Sequence, residues 1–108
     1  MRRAIGIARG NPDAPFGCVI ADTGSGEILS EGLIDAQKSP TLHGETAAIG
    51  VMIERRPGPE TSRLIPYTTA EHCTMCSGAI LWSGIPGVVY GTPISTLKRM
   101  GLPQIDPP

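Results

Sequence analysis

The chain has 108 residues, which is enough for one small domain with a thin hydrophobic core. Its formal net charge is −1, so the composition shows no basic excess of the kind that marks a nucleic-acid-binding domain. The sequence has no apolar stretch long enough to span a membrane, and its three cysteines are an odd number that fits a disulfide framework poorly. We therefore expect a single soluble domain over residues 1–108 in a reducing, cytoplasmic compartment.

The first third of the chain predicts a short helix followed by a β-hairpin. Residues 2–9 have an amphipathic pattern, and two prolines break the helix within residues 11–15. Residues 16–21 form an apolar run rich in strand-forming side chains. Glycine-rich turn residues at 22–26 then connect this run to a second short strand at 27–30.

The middle of the chain predicts a loop and then a helix. Residues 32–40 are interpreted as the loop, and Thr41 is placed to cap the helix that follows. Apolar residues recur at three-to-four spacing between 47 and 52, which is one helix face. The sequence Arg-Arg-Pro-Gly-Pro at 55–59 ends this helix.

The remaining elements alternate between strand and helix. Residues 63–69 predict a strand that is bulged or unpaired at Pro66, because proline lacks the ladder donor. A helix is predicted over residues 73–83 with Gly84 as its stop signal. A last short strand is predicted at 88–90.

The C-terminal part adds one or two helical turns at 94–100 and an irregular, proline-rich tail at 101–108. The order of elements indicates a three-layer α/β domain, in which an antiparallel hairpin joins parallel strands.

Four residues have the chemistry of a metal site. His43 opens one predicted helix, and Cys73 and Cys76 lie on one face of the first turn of the next. A helix N-terminus carries partial positive charge, which favours thiolate over thiol. One nitrogen and two sulfur ligands suit Zn²⁺ and leave its fourth position open, as in catalytic zinc sites. Zinc lowers the pKa of a bound water to about 7, and Glu45 is near enough in sequence to move the proton from that water to a leaving amine.

Other interpretations of these residues remain open at this point. Cys73 and Cys76 alone would also suit a redox pair, which would not require His43 or Glu45. His72 could supply a fourth ligand and close a structural zinc site. Glu45 could simply be a favourable charge in the first turn of a helix.

The arrangement of a His-x-Glu motif and a later Cys-x-x-Cys motif resembles the zinc-dependent nucleobase and nucleoside deaminases of the cytidine-deaminase-like superfamily. The resemblance extends from residue 4 to about residue 106 and is carried by four segments, 14–20, 39–45, 67–82 and 88–91. It implies a three-layer α/β/α fold around a mixed five-stranded sheet. It also implies that zinc hydroxide attacks the amine-bearing ring carbon of a base and that ammonia is released.

The resemblance assigns roles to individual residues of this chain. His43, Cys73 and Cys76 are implied as zinc ligands, and Glu45 as the proton shuttle. Trp82 matches a pocket aromatic of guanine-deaminase-like members, with core packing as the equal alternative. The implied substrate contacts are Phe16, Ile34, Asp35, Glu71 and Trp82.

The sequence departs from the family pattern in three ways. His72 replaces the proline that usually precedes the first cysteine, which adds a titratable group beside the metal. Ile34 stands where the family usually has a base-binding asparagine, with Asp35 as a substitute, so the choice of base should differ. The chain is also short, and we expect the last strand and the terminal helices to be missing, which would leave an apolar sheet edge. Relatives are commonly dimers, so we expect a homo-oligomer.

Three functions follow from this resemblance. The first is deamination of a free nucleobase or nucleoside of the guanine or cytosine type. The second is deamination of adenosine to inosine in a tRNA, which the net charge does not favour and which would need phosphate contacts. The third is an inactive domain stabilised by zinc. The basic residues available for RNA are Arg2, Arg3, Arg9, Lys98 and Arg99.

Overall fold

The computed structural model describes residues 1–55, 60–102 and 104, in which four strands and four helices follow the predicted order. No helix in this part of the chain combines the length and apolarity that crossing a membrane requires. The residues 56–59 that were predicted to end the second helix, and most of the predicted irregular tail, lie outside the described residues. The elements are α1 (Arg2–Ala8), β1 (Gly17–Asp22), β2 (Ile28–Leu33), α2 (Gly44–Arg55), β3 (Leu64–Ala70), α3 (Thr74–Trp82), β4 (Val89–Thr92) and α4 (Ile94–Arg99).

The described strands form one mixed sheet in the order β2-β1-β3-β4. Strand β1 is antiparallel to both β2 and β3, whereas β3 and β4 are parallel. The predicted combination of a hairpin with a parallel pair is confirmed, and β4 is the edge strand on its side among the described residues. Strand β2 is longer than predicted, because Gly32 and Leu33 still pair with β1.

Helices cover both faces of the sheet. Cys18 and Ile20 of β1 belong to the hydrophobic core together with Met52 of α2 and Ile80 of α3. Gly17 faces the other way, since a Cβ on it would lie 2.8 Å from the carbonyl oxygen of Ala4 in α1. Successive residues of a strand point to opposite faces, so α1 lies on one face while α2 and α3 lie on the other. The three-layer α/β/α prediction is therefore confirmed.

Pro66 does not interrupt the sheet, which corrects the prediction of a bulge or an unpaired position. It is in register with Ile20 within an unbroken β1–β3 ladder. The backbone N–H of Thr23 donates to the carbonyl of Arg63, and hydrogen-bonded pairs alternate from there along the two strands. The Ile20–Pro66 pair therefore falls on a non-hydrogen-bonded position, where β1 needs no donor from the proline. The parallel ladder with β4 begins one residue later, at Tyr67.

Helix α3 ends as its sequence predicts. Gly84 has a φ of +74°, a conformation that glycine adopts at little cost. The N–H of Gly84 donates to the carbonyl of Leu81, and the N–H of Ile85 donates to that of Ile80. These two bonds form a Schellman motif, which turns Ile85 back into the core.

The first turn of α2 lies in direct backbone contact with the hairpin. A Cβ on Gly32 of β2 would lie 2.2 Å from the carbonyl oxygen of Gly44 and 2.5 Å from the nitrogen of Ala48. A Cβ on Gly44 would lie 3.0 Å from the carbonyl oxygen of Phe16. Helix α2 can approach this closely only because glycine occupies the contact on both the strand and the helix.

We expect Gly32→Ala to destabilise the protein, since the added methyl group meets backbone atoms that cannot rotate away. The expected loss is about 1–3 kcal/mol in the free energy of unfolding, the usual range for overpacking, measured by urea denaturation. Gly50→Ala is the matched control, because Gly50 lies in α2 with nothing within 4 Å of its Cβ position. That substitution should be neutral or slightly stabilising. Equal unfolding midpoints for Gly32→Ala and the wild type would contradict the packing argument.

Candidate metal centre

His43 is held at the N-terminus of α2 by local hydrogen bonds. Its carbonyl accepts the N–H of Ala47 at 2.9 Å, which makes His43 the N-cap residue. The hydroxyl oxygen of Thr46 accepts the backbone N–H of His43 at 3.0 Å, and the same hydroxyl lies 2.8 Å from the carbonyl of Thr41. The prediction that Thr41 caps this helix is therefore wrong, because Thr41 contributes only a carbonyl acceptor and the cap lies two residues later.

The two cysteines are held in the same way by the N-terminus of α3. Cys73 is the N-cap residue, with φ −72° and ψ 175°, and its carbonyl accepts the hydroxyl of Ser77 at 2.9 Å. Cys76 lies in the first turn, on the same side of the helix as Cys73. Both cysteines are buried, and neither forms a disulfide.

The two helix starts bring one nitrogen and two sulfur atoms together. The Nδ1 atom of His43 lies 3.5 Å from Sγ of Cys73 and 3.6 Å from Sγ of Cys76. Ligands on a tetrahedral zinc ion, with Zn–N near 2.0–2.1 Å and Zn–S near 2.3 Å, stand about 3.6 Å apart. The three side chains are thus spaced as zinc ligands, and all their ligand atoms lie within 4.8 Å of one another.

The electrostatics of this cluster also fit a cation. Burial, followed by the negative charge of Glu45 and the neighbouring Cys73, raises the pKa of the Cys76 thiol well above its usual range. Two thiolates beside a carboxylate in a buried site repel one another unless a positive charge lies between them. A divalent ion that binds the cluster supplies that charge, and one nitrogen with two sulfurs is a donor set that zinc accepts.

Cys18 takes no part in this cluster. It is fully buried in the core, where burial and then the charge of Glu45 raise the pKa of its thiol well above the usual range. Cys18 therefore remains a neutral thiol that packs as a small apolar side chain.

His72 lies outside the ligand cluster as well. Its ring packs edge-on against Tyr90 of β4, with a distance of 6.2 Å between the ring centroids. Its Nδ1 atom is buried without a hydrogen-bond partner among the described residues. Among those residues, the group that could hold a metal consists of His43, Cys73 and Cys76, so the arrangement gives no support to a site closed by His72.

Glu45 lies in the first turn of α2, between the metal cluster and the sheet. Its side chain is 7% exposed, and its Oε1 atom is 2.6 Å from the hydroxyl oxygen of Thr68 in β3. It also contacts the Cys76 thiol. A buried carboxylate beside this cluster of candidate ligands is suitably placed to accept and return a proton.

A cavity of about 610 Å³ opens onto Glu45 and onto two of the three candidate metal ligands, His43 and Cys73. This volume lies within the usual range of small-molecule sites, which is roughly 300–1,000 Å³. The walls are mostly apolar, with a few polar groups near the metal cluster. The lining residues are Ala14, Phe16, Ile34, Pro40, Thr41, His43, Glu45, Ala70, Glu71, Cys73, Met75, Leu97, Leu102 and Gln104.

Three of the five predicted substrate contacts line this cavity, namely Phe16, Ile34 and Glu71. Trp82 does not, because it lies at the end of α3 with a side chain that is 94% exposed, which also rules out the alternative that it packs in the core. Asp35 is an exposed turn residue whose Oδ1 atom accepts the N–H of Lys38 at 3.3 Å. The arrangement of the described residues therefore gives no support to a substrate contact by Trp82 or Asp35.

Glu71 also connects the cavity to the C-terminal helix. Its Oε1 atom accepts the backbone N–H of Ile94 at 2.9 Å, at the start of α4. Its own N–H donates to the carbonyl of Thr92 at 2.7 Å. Helix α4 in turn contributes Leu97 to the cavity wall. Glu71 thus fixes the position of one wall as well as lining the cavity.

Eight of the 14 lining residues received no functional prediction from the sequence, and neither did Thr68. Met75, Leu97 and Leu102 are ordinary apolar residues in sequence, and Gln104 lies in a tail without periodicity, so none carries a signal. Thr68 does carry a signal in the sequence, because it is a polar residue that alternates in step with the buried residues on one face of β3. A buried hydroxyl in such a pattern needs a hydrogen-bond partner.

We expect the purified protein to bind one zinc ion, and His43→Ala and Cys76→Ser to lose it. Removing a direct ligand should cost more than the roughly 10–100-fold in metal affinity that the loss of an outer partner costs. The measurement is the metal-to-protein ratio after dialysis against a weak chelator. Cys18→Ala removes a buried thiol outside the cluster and should keep the full ratio. Retention of zinc by Cys76→Ser, or its loss from Cys18→Ala, would contradict the ligand assignment.

Comparison with known proteins places this site in a family. The sequence model of the cytidine and deoxycytidylate deaminase zinc-binding region matches residues 1–92. A probable cytosine deaminase of Schizosaccharomyces pombe is 40% identical over 103 residues, which are 93% of this chain and 62% of the relative. A tRNA-specific adenosine deaminase of Haemophilus influenzae is 36% identical over 81 residues, which are 73% of this chain and 46% of the relative.

The solved structures show the same fold. The crystal structure of guanine deaminase from Bacillus subtilis superposes with a TM-score of 0.83 at 29% identity and covers 95% of this chain and 68% of that one. This chain therefore spans about half to two thirds of the length of these relatives. The metal cluster, the fold and the match over residues 1–92 lead to one conclusion: the chain belongs to the zinc-binding cytidine and deoxycytidylate deaminase family.

Proposed function

We propose that the protein hydrolyses the exocyclic amine of a free nucleobase or nucleoside of the guanine or cytosine type and releases ammonia. The observation that carries the proposal is the convergence of His43, Cys73 and Cys76 at zinc-ligand distances beside the buried carboxylate of Glu45. Three of these four residues, His43, Glu45 and Cys73, line one cavity. A structural zinc site would require neither a cavity nor a carboxylate.

Each polar residue of the site has a part in this reaction. His43, Cys73 and Cys76 would hold zinc, which supplies Lewis acidity and makes a water-derived nucleophile available near pH 7. Glu45 would accept the proton that the attacking water loses and deliver it to the departing amine. Its burial favours this role, because a proton held there is shielded from bulk solvent.

The cavity walls suit a flat heteroaromatic ring. Phe16 and Ile34 supply apolar surface against which the faces of a base can pack. Ile34 has no polar side-chain atom and cannot hydrogen-bond the edge of a base. Gln104 is the side-chain amide among the described lining residues, so it can form such a bond. The relatives support the substrate class, since the S. pombe protein carries the description probable cytosine deaminase and the B. subtilis structure is a guanine deaminase.

The direct test is ammonia release by the zinc-loaded protein from guanine, cytosine, adenine and their nucleosides. We expect release from at least one of them and a loss of roughly 10²–10⁴-fold for Glu45→Gln, the usual contribution of a general acid–base group. The zinc content of that variant should be unchanged. Glu54→Gln is the control, because Glu54 is an exposed residue of the same helix and should keep full activity. No release from any compound, with zinc bound one to one, would refute the proposal and favour an inactive zinc-stabilised domain.

Deamination of adenosine in a tRNA is the second candidate, because the H. influenzae relative is a tRNA-specific adenosine deaminase. The charges of this chain do not favour binding of a tRNA. The net charge is −1, and Arg3, one of the basic residues available for phosphate contacts, forms an ion pair with Glu31.

We therefore expect weak binding of a tRNA anticodon stem-loop, measured by filter binding across a range of salt concentrations. Proteins that contact several phosphates lose affinity steeply as salt rises: log K falls by roughly 0.7–0.9 per phosphate contact for each unit of log salt concentration. Submicromolar affinity with such a slope, together with inosine formation in the RNA, would overturn the choice of a free base or nucleoside.

A further inference from the structure

Thr68 is a buried polar residue at the centre of the sheet. It lies in β3 between β1 and β4, in register with Cys18 on one side and Tyr90 on the other. It is 1% exposed and does not line the cavity. Substrate and metal therefore cannot account for its hydroxyl, and the protein itself must supply the hydrogen-bond partner.

Two acceptors compete for the hydroxyl proton of Thr68. The Oε1 atom of Glu45 lies 2.6 Å from the hydroxyl oxygen, and the carbonyl oxygen of Ala70 lies 3.0 Å from it. A threonine hydroxyl has one proton and can donate it to only one of them. A separation of 2.6 Å is typical of a hydroxyl that donates to a carboxylate, whereas 3.0 Å is at the long end for such bonds.

The alternative assignment is unfavourable. If the proton pointed at Ala70, two oxygen atoms without a proton between them would face each other at 2.6 Å, unless Glu45 itself were protonated. Donation to Oε1 avoids this contact and leaves the carboxylate free to accept a proton on its other oxygen. The bond also ties a side chain on the first turn of α2 to the middle of the sheet.

We propose that Thr68 is a positioning residue for Glu45: its hydroxyl fixes the carboxylate through Oε1, so that the second oxygen serves the reaction in the cavity. This inference rests on the proposed function only for its kinetic consequence. The carboxylate of Glu45 has several rotatable bonds, and a misplacement of about 1 Å can cost 10²-fold in rate. The hydrogen bond from Thr68 removes that freedom before the substrate binds.

The kinetic test compares two substitutions at Thr68 in the zinc-loaded full chain. Thr68→Val keeps the shape and the strand preference of the side chain but removes the donor, whereas Thr68→Ser keeps the donor. We expect kcat of Thr68→Val to fall by roughly 10–100-fold with KM and zinc content unchanged, because the lost contact acts on the transition state rather than on binding. Thr68→Ser should recover most of kcat. Ser30→Ala is the control, because Ser30 is a buried hydroxyl of β2 without a partner among the described residues, and its removal should leave kcat unchanged.

The structural test does not depend on activity. A crystal structure of the zinc-loaded wild type should show the Thr68 hydroxyl within hydrogen-bond distance of Oε1 of Glu45, and that of Thr68→Val should show the carboxylate rotated away. A wild-type separation above 3.5 Å, or an unmoved carboxylate in Thr68→Val, would overturn the proposal, as would an unchanged kcat. If no base is deaminated but the carboxylate rotates as expected, the positioning of Glu45 stands and the proposed function fails. If Thr68→Val does not fold, two other observations test the proposal. A wild-type separation within hydrogen-bond distance and an unchanged carboxylate orientation in Thr68→Ser would support it, and failure of either would overturn it.

Discussion

The first turn of α2 lies against β1 and β2 so closely that no side chain fits between them. Gly32 on β2 and Gly44 on α2 form this contact. His43 and Glu45 directly precede and follow Gly44 in the sequence. A larger residue at either position would push the helix start away from the sheet. The metal ligand and the proposed proton carrier would then move together. The geometry of the site therefore depends on a backbone contact that contains no functional side chain.

The site also concentrates negative charge in a buried place. Two thiols and a carboxylate meet at the starts of two helices, where burial and the charge of Glu45 raise the pKa of the Cys76 thiol. The partial positive charge of the helix N-termini offsets only part of this cost. A divalent cation offsets much more, so binding of the metal and stability of the folded state are coupled.

The sequence predicted that His43, Cys73 and Cys76 come together, because their spacing combines with two recognisable helix starts, and the structure does bring them together. The layer order followed from the alternation of strands and helices, whereas the role of Glu45 stays a prediction. The cap at Thr41 was wrong because several polar residues precede α2, and only the hydrogen bonds of Thr46 determine which one caps the helix. The exposure of Trp82 could not be predicted, since helix periodicity does not say which face meets the sheet. Gln104 was missed because an irregular segment takes its position from tertiary contacts alone.

Strand β3 and the loop after it connect the metal cluster to the cavity wall formed by α4. Thr68 contacts Glu45 on the metal side, Ala70 lines the cavity, and Glu71 bonds the start of α4. Since the helix starts hold the zinc ligands, changes in α4 should alter the cavity wall without disturbing the metal. Under the proposed function, the choice of base would depend on Leu97 and its neighbours in the cavity wall, while the zinc ligands and Glu45 lie at the starts of α2 and α3. A cavity wall that can vary apart from the metal cluster is consistent with similarity to proteins described as cytosine, guanine and adenosine deaminases.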